Sequence, residues 1–105
     1  MAGLFDSKLV ISIGDTPTLV YEPATDGVAM SLLLTNTHYG TLPISLWIER
    51  GADRIDLARA RRIQKGTPCD LLGGSKVALK AGDRVMAQSP VADAFTGVLS
   101  AYKDQ

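Results

Sequence analysis

In the run ISLWIER, residues 44–50, Ile44, Leu46 and Ile48 alternate with Ser45, Trp47 and Glu49. A period of two is that of a β-strand, whose successive side chains leave opposite faces. The same period recurs along the chain. KLVISI places Leu9, Ile11 and Ile13 on one face, VAMSLLLTN places Val28, Met30, Leu32 and Leu34, and AFTGVLSAY sets Phe95, Gly97, Leu99 and Ala101 against Ala94, Thr96, Val98, Ser100 and Tyr102. Between these runs stand GDTP, PATDG, TNTHYGTLP, GAD and KAGD, whose Gly, Pro, Asn and Asp are turn residues. Apolar runs this short, broken by a turn every ~8–12 residues and with no sustained helical period, predict an all-β domain.

The expected fold is a two-layer antiparallel β-sandwich, jelly-roll or immunoglobulin-like, of seven to nine short strands. Parallel βαβ units would need crossover helices, and no segment supplies them. VAMSLLLTN and ISLWIER, joined by a medium-length loop, suit an antiparallel hairpin. In LKAGDRVMAQS, Gly82 supplies a reversal, Lys80 and Asp83 are expected to keep the tip in water, and Val77, Leu79, Val85 and Ala87 supply core on either side. DRIDLARARRIQKG fits neither period, but Gly51 and Gly66 bound it, so RIDLA and RRIQ are read as strand pieces.

A length of 105 residues suits one hydrophobic core, and 46% hydrophobic with 21% charged residues is a folding composition. The organisation expected is an N-terminal arm over residues 1–8, free to dock on a neighbour, and a single sandwich domain over 9–103. Eleven basic residues balance eleven acidic ones, so no overall field draws nucleic acid or an anionic membrane. Only RARRIQK is locally basic. MAGLFDSKLVISIGD lacks the pattern of a secretory signal, so a cytoplasmic site of synthesis is expected. The single Cys69 cannot form an internal disulfide and is read as a small, partly buried apolar residue.

Chemistry has little to stand on. His38 is the only histidine and lies in a loop sequence, so sites built from several imidazoles are excluded. The serines sit outside any G-x-S-x-G turn, and LLGGSK lacks the spacing of a phosphate-binding loop. The carboxylates fall mostly in turn sequences, which accounts for them without an acid–base pair. No enzymatic activity and no cofactor are expected.

Contact residues are easier to propose. Trp47 lies on the strand face opposite Ile44, Leu46 and Ile48, so it is either an outward ring needing cover from another subunit or a core residue on a strand of reversed facing. Leu4 and Phe5 precede the first strand without an obvious internal partner. Arg59, Arg61 and Arg62 complete the candidate subunit contacts. A second reading, a carbohydrate- or cell-surface-binding module, would use Tyr39 and Trp47.

Across TPTLVYEPATDGVAMSLLLTNTHYGTLPISLWI and the later VALKAGDRVMAQS, the chain resembles small all-β structural proteins of tailed bacteriophages, of the tail, neck or decoration type. In those, a "tlvY.vP" opening leads to a strand ending "l.l.Nt", an alternating strand, a short loop and "l.aGD.i...as". The matching positions are Tyr21, Pro23, Leu32, Leu34, Thr35, Asn36, Thr37, Leu46, Trp47, Ile48, Leu79, Ala81, Gly82, Asp83, Val85 and Ser89. DLARARRIQKG departs from the pattern in its arginine content. The resemblance implies a non-enzymatic virion protein, assembled in the host cytoplasm, whose partners are other copies of itself and other virion proteins in a homo-oligomer.

Overall fold

The structure, a computed structural model, describes the backbone of residues 3–10, 12–38, 40–66, 68–73 and 75–104 and, within these, the side chains of residues 7–102. Among the described residues nine strands follow one another: β1 (Gly3–Val10), β2 (Thr18–Tyr21), β3 (Gly27–Asn36), β4 (Leu42–Arg50), β5 (Asp53–Ile63), β6 (Pro68–Asp70), β7 (Val77–Leu79), β8 (Arg84–Gln88) and β9 (Phe95–Asp104). They form two antiparallel sheets, one in the order β1-β9-β3-β6 with β7 also on β3, the other β2-β8-β4-β5. The chain is all-β, as its alternation predicts.

The pairings are nested. β1 lies on β9, β2 on β8, β3 on β6 and β7, and β4 on β5, as in one long hairpin folded about the tight turn at Gly51 and Ala52. Two further pairings, β3 with β9 and β4 with β8, roll that hairpin into two layers. With β6 and β7 taken as one interrupted strand, this is the connectivity of a jelly roll.

The core lies between the layers. Ile44, Leu46 and Ile48 of β4, Val85 and Ala87 of β8 and Tyr21 of β2 face Leu32 and Leu34 of β3 and Phe95, Leu99 and Ala101 of β9, all of them buried. Each large side chain so placed contributes about 1.5–3 kcal/mol before the entropy of ordering is set against it. At the centre of the first sheet, Gly97 of β9 pairs with Leu34, and a Cβ at this position would overlap the Leu33 carbonyl oxygen and sit 2.7 Å from Leu34 Cδ2. Only glycine lets β3 and β9 approach so closely.

Several expectations from alternation are corrected. Leu9 points outward at 72% exposure and Val10 is buried, because the strand ends at Val10 and its period does not carry through to Ile13, which is buried from the following loop; Ile11 lies outside the described residues. In β3 an irregularity around Met30 shifts the inward set to Ala29, Leu32 and Leu34. β3 and β4 do not form a hairpin: they belong to different sheets, and the loop between them crosses layers. The KAGD turn likewise carries the chain from β7 in one sheet to β8 in the other. Residues 3–8, within the N-terminal arm expected over residues 1–8, are the greater part of β1 and run along β9.

DLARARRI fits no period for a physical reason. β5 is one extended strand, but its ladder with β4 is interrupted twice, between Ile44 and Leu46 and between Leu46 and Trp47. Ala60 sits at φ 51°, in the left-handed region, and its N–H is taken by Ser45 Oγ at 3.0 Å. Each bulge adds a residue and resets which face follows.

Candidate interaction surfaces

The structure separates the candidate contact residues. Trp47 lies on the outer face of the second sheet, Arg59, Arg61 and Arg62 lie on β5 at one border of that sheet, and Leu4 and Phe5 lie on β1 at a border of the other sheet. The backbone of Leu4 pairs with Lys103 and that of Phe5 with Tyr102, while the side chains of Leu4 and Phe5 fall outside those described. β5 and β6 border one side of the sandwich, where Gly66 N–H donates to Asn36 O and links the end of β5 to β3. β1 and β2 border the other.

Trp47 faces away from the core, opposite Ile44, Leu46 and Ile48, yet is only 1% exposed. Its cover comes from its own chain. The Arg54 guanidinium lies 4.0 Å from the ring centroid, and the indole N–H donates to Glu49 Oε2 at 2.9 Å. Arg54 Nε bonds Asp56 at 3.2 Å, and Glu49 stands 3.7 Å from Arg84. Cation–π stacking and a satisfied N–H let a large ring sit on an outer sheet face without a partner subunit. Of the two readings of Trp47, the ring faces outward, and its own chain covers it; short-range pairing with Arg54, two residues into the facing strand, was the signal available in sequence.

Arg59, Arg61 and Arg62 are exposed, and none has an ion-pair partner among the described residues. The stretch from Leu57 to Cys69 carries these three and Lys65 with no carboxylate between them.

Among the described residues three polar ones are buried, Asn36, Asp83 and Ser89, and all three are loop anchors. Asn36 Nδ2 donates to Ile63 O at 2.9 Å and Gly40 O at 3.0 Å, while its Oδ1 accepts the His38 N–H at 2.8 Å. Ser89 Oγ donates to Val91 O at 2.9 Å, and its N–H reaches Gly14 O at 3.1 Å. Asp83, expected in water, is 1% exposed. Arg50 grips both carboxylate oxygens, at 2.8 and 2.7 Å, and the Lys80 N–H adds a bond at 2.9 Å. The Arg50 hydrogen bonds hold the Asp83 carboxyl below its ordinary range against the opposing cost of burial, and the Lys80 N–H acts in the same direction as Arg50. Gly82, at φ 86°, donates its N–H to Pro23 O. The turn is thus bolted to the β2–β3 loop and to the end of β4.

Nothing in this set forms a reaction centre. His38 is half-buried, with its backbone held by Asn36; Cys69 is half-buried, and no group of three His, Cys, Asp or Glu could hold a metal among the described residues. Tyr39 lies outside the described residues.

Fold and surfaces together define a jelly-roll domain whose distinctive features are its borders and outer faces. No family model matches the sequence, and no curated protein matches it. Two crystal structures of a pentameric capsid protein isolated from metagenomic phage sequences, one of them solved by iodide phasing, are similar to it, each at 17% identity over 90% of this chain, with TM-scores of 0.48 and 0.47. The chain spans 59% and 60% of their lengths.

Proposed function

We propose that this chain is a non-enzymatic structural protein of a bacteriophage virion, present in multiple copies at the tail, neck or capsid surface and associating with itself and other virion proteins. The observation that carries the reading is where the resemblance to small phage structural proteins falls in the fold. Of its polar positions, Asn36, Asp83 and Ser89 are buried while Thr35 and Thr37 are not, and Tyr21, Leu32, Leu34, Leu46, Ile48, Leu79 and Val85 are core. The pattern therefore describes how this jelly roll is closed, and jelly rolls are a recurrent unit of viral shells.

Lectins and cupins share that architecture, so the fold alone leaves other functions open. A sugar-binding reading needs an exposed aromatic platform, and Trp47 is covered by Arg54. The test is quantitative mass spectrometry of purified particles produced from a genome carrying this gene. Recovery at many copies per particle is expected; its absence from particles, with the protein abundant in the lysate, would refute the reading.

A further inference from the structure

An unpaired sheet edge recruits another strand, and folded proteins blunt such edges by shortening them, bulging them or lining them with charge. Most borders of this sandwich are blunted. β2 has four residues, and β6 and β7 have three each. β5 is long, but it is bulged twice, carries Ala60 in the left-handed region and is crowded by three arginines. β1 differs: eight residues in unbroken register with β9, without proline, and with Leu9 72% exposed.

The residue order of β1, GLFDSKLV, is self-complementary. In an antiparallel pairing centred on Ser7, the acidic residue at position 6 faces the basic residue at 8 of the second copy, 5 faces 9, and 4 faces 10, so charge meets opposite charge and apolar meets apolar. Registers centred on 6 or on 8 would oppose like charges, and registers centred between residues leave both charges facing uncharged positions. Only one alignment pairs them all, which is how a strand specifies its register.

The adjoining face agrees. Leu9 pairs with Val98 and Val98 with Leu33, an outward apolar row in which Leu33 is 42% exposed; the next row, Ser7, Ser100 and Ser31, is uncharged. Pairing about Ser7 brings position 5 of the second copy beside Leu9 and extends this row across the junction. We infer that β1 pairs with β1 of a second copy about a two-fold axis at Ser7, joining two five-stranded sheets into one continuous ten-stranded layer. The inference deepens the multi-copy reading above and rests on it for its setting. It specifies an isologous contact, in which the same patch serves both partners.

The test is self-association of the full chain by sedimentation across concentration, for the wild type, Asp6→Lys, Lys8→Asp and the double exchange. Because the two-fold repeats the 6–8 pair, each single reversal opposes like charges twice and is expected to weaken association at least about tenfold, more at low salt. The double exchange restores opposite charges and is expected to recover wild-type association, which also shows that the substitutions leave the fold intact. A wild type that remains monomeric, or forms only odd-numbered rings, overturns the inference, as do single reversals without effect or a double exchange that fails to recover. Association indifferent to these charges would sink this contact and leave the virion reading standing; absence from particles would sink the virion reading whatever β1 does.

Discussion

Replacing Gly97 with alanine sets two effects of opposite sign against each other. In an ordinary strand the change stabilises: alanine lowers the entropy of the unfolded chain, with a gain of about 0.4–1 kcal/mol where the backbone accepts it. Here the new methyl would overlap the Leu33 carbonyl oxygen and stand 2.7 Å from Leu34 Cδ2. Gly97 pairs with Val10 on one side and Leu34 on the other, so neither neighbour can yield without disturbing a ladder. Overpacking a well-filled core costs about 1–3 kcal/mol, and displacing backbone belongs at the upper end or beyond. The net expectation is a loss of about 2 kcal/mol or more, a fall in Tm of roughly 8 °C or more for a domain of this size. Urea and thermal unfolding followed by circular dichroism measure it. A variant as stable as the wild type, or more so, would refute the close approach of β3 and β9.

Two further outcomes follow from the buried groups. The Asp83 carboxyl has a depressed pKa, so its contribution is fully present above the ordinary carboxylate value of about 3.9 and is lost as pH falls through its lower folded-state value; urea midpoints of wild type and Asp83→Asn should therefore differ near neutrality and converge in acid, and a gap that persists in acid would contradict the Arg50 pairing. Trp47 is the sole tryptophan, so Arg54→Ala should red-shift its fluorescence and raise acrylamide quenching, whereas an unchanged spectrum would show that the guanidinium does not cover the ring.

The layer architecture was legible because alternation survives wherever strands are regular: Ile44, Leu46 and Ile48 face inward as their spacing dictates. It failed where a bulge or a strand end resets the phase, at Met30, at Ala60 and beyond Val10, since such irregularities depend on cross-strand partners that the local sequence does not reveal. Pairing was less visible than facing. A loop such as TNTHYGTLP reads equally as a hairpin or as a crossing between layers, and what decides is Asn36 reaching Ile63, 27 residues away. Asp83 was misplaced for the same reason: an aspartate in a turn sequence is normally solvated, and its partner Arg50 is 33 residues distant.

The nested pairing has a consequence for how the chain is made. The middle positions of both sheets are held by β8 and β9, the last two of the nine strands, each lying between strands synthesised much earlier. Until they leave the ribosome, β1 and β3 have no strand to join them, nor have β2 and β4, and the pairings whose strands are already present are β4 with β5 and β3 with β6 and β7. Long-range pairing of this kind slows folding. A message cut short before β9 yields a chain whose layers cannot close, so β1 gains its finished edge only in chains synthesised through β9.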